Sequence, residues 1–253
     1  MGNVYAVSDL HGCLDLYNQI CDFIEPDDIV YFLGDAGDRG PNPWETIKAI
    51  RANPQWIYIK GNHEQLLENF LYTYQYYGCS DDHDAWRLEC NGGTQTIEEF
   101  MMDEKTNDKL ALDWIKFFTE LPRSATYVAE DGAKIYMSHS GYIDWYPNIH
   151  RTSKDKDLIW DRDHFKNSWD NSQCIYDYVI HGHTPIPYVQ EEVEGIIVNK
   201  WEFGAYWYCP DNVGNMRKCC IDNGCFTTNV CCLLDLNTFD EHIFAMNGGN
   251  ENE

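Results

Sequence analysis

The sequence predicts an α/β domain, because three short apolar runs each end in a polar turn that is followed by a helical pattern. The runs span residues 3–7, 29–33 and 56–60. Continuous apolar runs of this length, bounded by turn residues, are typical of buried strands, and their alternation with helices favours an α/β fold. Sites in open α/β sheets lie at the carboxyl ends of the strands. The polar turns are therefore candidate functional segments.

The first half of the chain is predicted to be mainly helical around these strands. Apolar side chains recur at helical spacing over residues 13–24, 44–50, 63–77, 94–102 and 107–120. The last of these helices is expected to end before Pro122, because a helix interior does not tolerate proline. Residues 78–93 are predicted to be a loop.

The second half is predicted to be rich in strands. Residues 126–129 and 134–138 flank Asp131-Gly132 as a hairpin. Further strands are expected at residues 178–180, at Val189, and at residues 196–199, 216–222, 229–236 and 242–246, with an irregular segment at 142–157. No internal repeat or linker is present. The sequence therefore predicts one domain over residues 1–246 and a disordered tail over residues 247–253.

Charge and composition restrict the classes of function. The 253-residue chain carries a formal net charge of −24, which argues against nucleic-acid binding because that function needs a basic surface. An anionic substrate would need a local positive field, such as bound divalent cations supply. No stretch approaches the roughly 20 apolar residues that span a bilayer, and no signal-peptide pattern is present. We therefore expect no membrane association and a cytoplasmic location.

The chain has 11 cysteines, and they lack the paired CxxC spacing of structural zinc sites. We expect them mostly as small buried hydrophobic side chains in a reducing compartment. Two doublets, Cys219-Cys220 and Cys231-Cys232, fall on predicted strands. Neighbouring residues on a strand point to opposite faces, so one thiol of each doublet is expected to point inward and the other outward.

Polar motifs follow each of the three predicted strands. Asp35 lies in the glycine-rich segment 34–40 directly after the second strand, where its carboxylate could be held rigidly. An ordinary Asp/Gly turn beside one ion pair is the alternative interpretation of that segment. Asp9 and His11 share one face after the first strand and can bind one ion together. Asn62-His63-Glu64 follows the third strand, where a helix N-cap is compatible with a functional role.

Six strand-end side chains form a mixed nitrogen and oxygen donor set, which suits two hard or borderline divalent ions. The six are Asp9, His11, Asp35, Asn62, His139 and His183. A bridging Asp35 could hold ions about 3.5–4 Å apart, and a water between them would lose a proton and attack phosphorus in line. Arg39 and Arg162 suit a phosphate clamp, because guanidinium donors match phosphate oxygens in pairs. His63 is then the candidate acid for the departing oxygen, with Asp38 orienting its imidazole.

Together these motifs resemble the full series of the calcineurin-like metallophosphoesterases of the phosphoprotein phosphatase family. The series comprises Asp9-x-His11-Gly12, Gly34-Asp35-x-x-Asp38-Arg39-Gly40, Gly61-Asn62-His63-Glu64, His139 and Gly182-His183-Thr184. It is extended by Asn91-Gly92-Gly93, Ile159-Trp160-x-Arg162 and Ile221-Asp222-x-Gly224. The chain is similar to the small single-domain type represented by the bacteriophage lambda Ser/Thr phosphatase, over residues 3–236. Each motif alone is weak, but five in this order are specific.

The resemblance implies a sandwich of two mixed β-sheets flanked by helices. It implies a first metal held by Asp9, His11 and Asp35, and a second metal held by Asp35, Asn62, His139 and His183. It also implies that His63 is the catalytic acid with Asp38 as its partner, and that Arg39 and Arg162, together with Asn62, bind the substrate phosphate. Manganese is the expected metal, with iron and zinc as alternatives.

The predicted function is a metal-dependent phosphomonoesterase that acts on phosphoserine and phosphothreonine of proteins or peptides, with phosphotyrosine as a further candidate. The resemblance implies direct in-line attack by a metal-bridging hydroxide, and we expect a monomer. The alternative is a hydrolase of dinucleoside polyphosphates such as diadenosine tetraphosphate, or another nucleotide or RNA-end phosphatase. An inactive binding scaffold is the third hypothesis, which is disfavoured because no predicted ligand and no predicted acid is missing.

Three features are not explained by the shared motifs. His181 is an additional histidine, interpreted as a supporting or incidental residue rather than a metal ligand. The aromatic segment at residues 201–208 is hypothesised to wall the substrate groove, because the loop at that place borders the active site in the similar proteins. The tyrosine-rich stretch at residues 72–77 is expected to belong to the core or to a surface ridge.

Overall fold

The computed structural model describes residues 2–77, 91–103, 108–141, 158–162, 175–193, 196–199, 203–208 and 217–246. The strands are β1 (Val4–Val7), β2 (Ile29–Phe32), β3 (Trp56–Tyr58), β4 (Ser124–Val128), β5 (Lys134–Ser138), β6 (Tyr178–His181), β7 (Gln190–Val193), β8 (Ile196–Asn199), β9 (Tyr206–Tyr208), β10 (Arg217–Cys220), β11 (Val230–Asp235) and β12 (Glu241–Ala245). The helices are α1 (Leu14–Phe23), α2 (Pro43–Ala52), α3 (Asn62–Tyr77), α4 (Gly93–Asp103), α5 (Asp108–Glu120) and α6 (Cys225–Thr228), with a 3-10 helix at Ile186–Tyr188. The predicted loop at 78–90, the irregular segment at 142–157 and the tail at 247–253 lie outside the described residues.

The first sheet has the order β12-β11-β1-β2-β3 and is mixed. Strands β1, β2 and β3 are parallel, with Val7 opposite Phe32 and Phe32 opposite Tyr58, whereas β11 and β12 are antiparallel to their neighbours. Helices α1 and α2 supply the crossovers between the parallel strands, as parallel connections require. This register brings the carboxyl ends of β1, β2 and β3 to the same edge.

The second sheet has the order β4-β5-β6-β10-β9. The predicted hairpin of β4 and β5 is confirmed, and β5, β6 and β10 run parallel to one another. Side chains of both sheets, including Ala6, Leu33, Met137, Ile180 and Leu234, form one buried cluster between them. The chain is therefore a sandwich of two mixed sheets, as predicted.

Helices cover the outer face of the first sheet. Helical residues such as Leu16, Ile47, Leu67 and Trp114 share a second buried cluster with strand residues such as Phe32. The predicted helices α1 to α5 are all confirmed, with ends that differ from the sequence-based bounds by at most two residues. Among the described residues, no helix combines the length and the hydropathy that crossing a membrane would require.

Three short elements were not predicted: β9, α6 and the 3-10 helix. The segment at residues 206–208 forms β9, the edge strand that pairs antiparallel with β10, and α6 lies between β10 and β11. Val189 is not a strand residue, because it ends the 3-10 helix one residue before β7 begins. Three tyrosines of α3, Tyr72, Tyr74 and Tyr76, are exposed and form a surface ridge.

The four thiols of the cysteine doublets are all buried. Cys219 belongs to the cluster between the sheets and Cys231 to the cluster under the helices. The prediction that one thiol of each doublet points outward was wrong, because β10 and β11 are covered on both faces. All seven described cysteines are free, and burial raises the pKa of Cys219 and Cys220 well above the usual value.

Candidate metal centre

Within each sheet, backbone hydrogen bonds join the loops that follow neighbouring strands. The Asp9 amide donates to Gly34 O at 3.0 Å, and the His11 amide donates to Asp35 O at 3.0 Å. In the second sheet, the Gly182 amide donates to His139 O at 2.8 Å. The loop after β1 is thereby fixed to the loop after β2, and the loop after β5 is fixed to the loop after β6.

Six non-glycine residues of these loops have left-handed backbone conformations. They are Asp9 (φ 53°), His11 (φ 41°), Asp35 (φ 62°), Asp38 (φ 67°), Arg39 (φ 63°) and His183 (φ 68°). Such conformations are uncommon outside glycine and persist only where surrounding structure imposes them. Their concentration in one place is typical of a functional site.

One oxygen of Asp35 is the geometric centre of the site. Asp35 Oδ2 lies 3.7 Å from His11 Nε2, 3.8 Å from His63 Nε2 and 3.4 Å from His139 Nε2. All of these residues are buried. Two groups of potential metal-ligating atoms share Asp35, each with its atoms within 4.8 Å of one another: His11, Asp35 and His63, and Asp35, His139 and His183.

The histidine tautomers suit cation binding. His11 Nδ1 lies 2.9 Å from Gly37 O and His139 Nδ1 lies 2.8 Å from Leu33 O. A carbonyl oxygen only accepts, so both Nδ1 atoms carry a proton, and each ring turns its Nε2 atom toward Asp35. Among the described residues, the buried Nε2 atom of His183 finds no hydrogen-bond partner. Imidazole nitrogens with a shared carboxylate fit borderline divalent ions such as manganese, iron or zinc.

The side chains predicted for the second metal come together. Asn62 Oδ1 lies 2.8 Å from His139 Nε2, and His183 Nδ1 lies 3.1 Å from the same nitrogen. Asp9, predicted for the first metal, belongs to neither three-residue group. Its Oδ2 atom accepts hydrogen bonds from Ser8 Oγ and, at 3.0 Å, from the His183 amide. Asp9 therefore links the loop after β1 to the loop after β6.

The electrostatics of the site favour a positive charge between the carboxylates. Burial raises the pKa of Asp9 to about 6. Burial also acts to raise the pKa of Asp35, but His139, His63 and His11 hold it well below its usual value. Burial acts to lower the pKa of His139, yet Asp35 and Asp9 raise it to about 10. The chain therefore stabilises a cation at this place, whether a proton or a metal ion supplies the charge.

His63 and Asp38 form a buried pair beside Asp35. His63 Nδ1 lies 2.5 Å from Asp38 Oδ2, and the other oxygen of Asp38 accepts a hydrogen bond from Thr96 Oγ1. Burial acts to lower the pKa of His63, but Asp35 and Asp38 raise it above its usual value. The carboxylate fixes the ring so that Nε2 faces the site, which is the arrangement that a general acid requires.

A cavity of about 220 Å³ opens beside the histidines, and its lining includes Asp35, Arg39, Asn62, His63, Arg162, His183, Pro185, Tyr188 and Phe226. Both predicted phosphate-binding arginines are therefore present at the cavity. Gly92 (φ +74°) packs against Arg39, since a Cβ there would lie 2.3 Å from the Arg39 amide nitrogen. This close approach explains why glycine follows Asn91. Residues 201 and 202 of the aromatic segment lie outside the described residues. Among the described lining residues none comes from 203–208, and Tyr206–Tyr208 form an edge strand of the second sheet.

Glu64 is a site residue whose role the sequence reasoning missed. Its carboxylate accepts hydrogen bonds from the amides of Asp35 (2.8 Å), Ala36 (2.9 Å) and Gly61 (2.8 Å), and from Tyr58 Oη (2.8 Å). The bond to Gly61 is the return half of a capping box at the start of α3, a pattern that the sequence shows as Glu three residues after Gly61. Glu64 therefore holds the loop that presents Asp35.

We expect Glu64→Ala to lower the free energy of unfolding by about 3 kcal/mol or more, because it leaves three buried amide donors and one buried hydroxyl without an acceptor. Chemical denaturation measures this change. The matched control is Glu120→Ala, whose side chain is 67% exposed and forms an ion pair with exposed Lys116. A loss for Glu64→Ala as small as that of the control would contradict the anchoring role.

His181 is buried and both of its ring nitrogens have protein partners. Nδ1 lies 2.9 Å from Gly182 O, and Nε2 lies 2.8 Å from Tyr208 Oη. Burial lowers the pKa of His181 to about 3, so the ring is neutral. This geometry supports the interpretation of His181 as a supporting residue that joins β6 to β9.

Comparison with known proteins agrees with this class of fold and site. The family model for calcineurin-like phosphoesterases matches residues 2–187. A symmetrical bis(5'-nucleosyl)-tetraphosphatase of Legionella pneumophila is 29% identical over 141 residues, which cover 54% of this chain and 44% of that protein. The chain thus matches less than half the length of this relative.

Two solved structures have a similar fold. A metallophosphoesterase from Sphaerobacter thermophilus has a TM-score of 0.56 at 13% sequence identity. The match covers 97% of this chain and 88% of that protein's chain. A Ser/Thr phosphatase from Saccharomyces cerevisiae, similar to human PP5, has a TM-score of 0.54 at 13% sequence identity. The match covers 99% of this chain and 82% of that protein's chain.

The sandwich fold and the histidine–carboxylate site define a metal-dependent α/β hydrolase. The chain belongs to the calcineurin-like phosphoesterase family. It is therefore a metallophosphoesterase, a class that uses dinuclear metal centres, and its two ligand groups sharing Asp35 fit that requirement.

Proposed function

We propose that the chain is a phosphomonoesterase with two divalent metal ions, and that phosphorylated serine and threonine side chains of proteins are its substrates. The observation that carries the proposal is the convergence of three histidine nitrogens on one oxygen of Asp35, beside a cavity that contains two arginines. Divalent ions bound there supply positive charge and lower the pKa of water. They also offset the net charge of −24 that would otherwise repel a phosphate.

The chain's own side chains have distinct roles in this proposal. Asp9, His11 and Asp35 hold the first ion, and Asp35, Asn62, His139 and His183 hold the second. Arg39 and Arg162 donate hydrogen bonds to phosphoryl oxygens, in the paired geometry that guanidinium provides. His63, held by Asp38 at 2.5 Å, delivers its Nε2 proton to the departing oxygen.

The size of the cavity supports a substrate that places only a small group, such as a phosphoryl group, inside it. At about 220 Å³ it is below the roughly 300–1,000 Å³ of sites that enclose a drug-sized ligand. A phosphorylated side chain that enters from a protein surface needs to bury little more than its phosphoryl group. Manganese is the proposed metal, because the nitrogen and oxygen donors suit borderline ions of this kind.

A second candidate is hydrolysis of dinucleoside tetraphosphates. The specific observation in its favour is that the Legionella relative, at 29% identity, is named as a symmetrical bis(5'-nucleosyl)-tetraphosphatase. The same metal and arginine arrangement would accept a phosphate of the polyphosphate chain, with both nucleosides outside the cavity.

A substrate panel in the presence of Mn²⁺ separates the two candidates. We expect kcat/KM for phosphoserine and phosphothreonine peptides to exceed that for diadenosine tetraphosphate by about tenfold or more, a difference that corresponds to a modest advantage in transition-state binding. Phosphate release and nucleotide chromatography measure the two reactions. A preference for the dinucleotide, with two molecules of ADP as products, would replace the first candidate by the second. No turnover of any substrate by protein loaded with metal would contradict both.

A further inference from the structure

The short helix α6 places one aromatic side chain at the cavity. It is bounded by two left-handed residues, Gly224 (φ +65°) and Asn229 (φ +57°). Asp222 Oδ1 accepts a hydrogen bond from the Gly224 amide at 2.8 Å. Buried Asn223 bonds to both backbone polar groups of Gly204, at 2.7 and 3.1 Å. These contacts fix the turn that leads into the helix, so the position of Phe226 is determined by buried groups.

The ring of Phe226 lies against two residues of the proposed phosphate site. The guanidinium carbon of Arg39 stands over the ring, 5.0 Å from its centroid. The His11 ring meets it edge-on, with 5.6 Å between centroids and an interplanar angle of 81°. Phe226 is half-buried and lines the cavity with Arg39. A guanidinium over an aromatic face is held by the ring quadrupole without using its N–H donors.

Arg39 has few other contacts that could orient it. Its Nη1 atom lies 2.7 Å from His11 Nε2, and its buried Nε atom has no hydrogen-bond partner within the part of the chain that the structure describes. Among the described residues, no carboxylate forms an ion pair with Arg39. In a guanidinium that is paired with a carboxylate, the N–H donors would be hydrogen-bonded to that carboxylate. Support by an aromatic face uses no donor, so the Arg39 N–H groups other than the one directed at His11 Nε2 remain available to an anion in the cavity.

We propose that Phe226 is a positioning residue for phosphate binding: its ring holds the Arg39 guanidinium so that the N–H donors face the phosphoryl group. This inference rests on the proposed function, because it takes Arg39 as a phosphate ligand. The ring contributes mainly to the affinity for the phosphoryl group, since the ring contacts that place it at the cavity are those with Arg39 and His11. Its loss therefore raises KM and the inhibition constant of inorganic phosphate more than it lowers kcat.

The experiment compares Phe226→Leu, Phe226→Met and Phe226→Tyr in the full chain loaded with Mn²⁺, with inorganic phosphate as the competing ligand. We expect the inhibition constant of phosphate to rise about 3- to 30-fold for the leucine and methionine variants, the range of a cation–π contact. The tyrosine variant keeps the aromatic face and should stay within about twofold. Phe244→Leu is the matched control, because Phe244 is also half-buried but packs against Phe23, away from the cavity.

A double-mutant cycle with Arg39→Ala identifies the route of the effect. If the ring acts through Arg39, Phe226→Leu causes no further weakening in the Arg39→Ala background. Full additivity, an unchanged inhibition constant in Phe226→Leu and Phe226→Met, or an equal loss in Phe226→Tyr would each overturn the inference. If Arg39→Ala itself leaves turnover and phosphate inhibition unchanged, the proposed phosphate-binding role of Arg39 fails instead. Metal content and thermal unfolding of each variant show whether the fold is retained.

Discussion

Replacing His63 with asparagine is expected to lower kcat for alkyl phosphomonoesters by about two to four orders of magnitude, the usual contribution of a general acid. The reason is geometric. His63 Nδ1 lies 2.5 Å from Asp38 Oδ2, so its Nε2 atom faces Asp35 and the cavity. Asparagine cannot deliver a proton from that place. Steady-state kinetics with phosphoserine peptide as the substrate measures the loss.

The leaving group and the metal content make this test specific. p-Nitrophenol needs little protonation as it departs, so its phosphate ester should be hydrolysed with a smaller loss than the peptide. Two metal ions should remain bound per chain. His63 Nε2 also lies within ligand distance of the group formed by His11 and Asp35. Loss of one ion from His63→Asn would therefore identify His63 as a metal ligand, and equal turnover on the peptide would contradict the role as the acid.

Replacing Asp35 with asparagine is expected to remove both metal ions and to lower turnover by about three orders of magnitude or more, because the charge that both ions share is lost. Asp35 Oδ2 is the only carboxylate oxygen that lies within 4 Å of three of the described histidines. Its charge also holds the pKa of His139 at about 10. Metal analysis after gel filtration, together with kinetics, measures the two losses.

The matched control for this change is Asp28→Asn. Asp28 is also buried, but its carboxylate accepts hydrogen bonds from the amides of Asn3 and Glu25, remote from the histidines. This variant should lose stability and keep both metal ions. If Asp35→Asn retained two ions per chain, the role of Asp35 as the shared ligand would be wrong.

The fold was largely predictable because its signals are local. The runs at 29–33 and 56–60 became β2 and β3, and apolar spacing located α1 to α5. Element ends were less certain, since capping contacts such as Gly61 with Glu64 decide them. The strand β9 was missed because its aromatic side chains, including Trp207, indicated a binding surface, whereas Trp207 packs against Tyr178 and Phe239 in the second sheet.

The site was predictable as a set of residues and not as a geometry. Motif order placed Asp35, Asn62, His139 and His183 together, and the structure brings these four side chains into contact. Nothing local in the sequence indicates that Asp35 has a positive φ, because that conformation is imposed by hydrogen bonds to Glu64 across the loop. Contacts between segments that are distant in the sequence could not be predicted from it either.

The pairing of Arg39 with Phe226 shows this limit most clearly. The two residues are separated by about three quarters of the sequence and meet because β11 lies beside β1 in the first sheet. Arg39 was recognisable from its motif, since Asp-Arg-Gly after a buried strand suggests a phosphate ligand. Its aromatic support was not, because a single phenylalanine in a turn is more often a packing residue.

Crystals of the protein soaked in a manganese salt test the central claim most directly, through the anomalous scattering of manganese. The account predicts two peaks, one on each side of the Asp35 carboxylate, with His11 beside one and His139 and His183 beside the other. A single peak, peaks only at surface carboxylates, or no peak at all would contradict it.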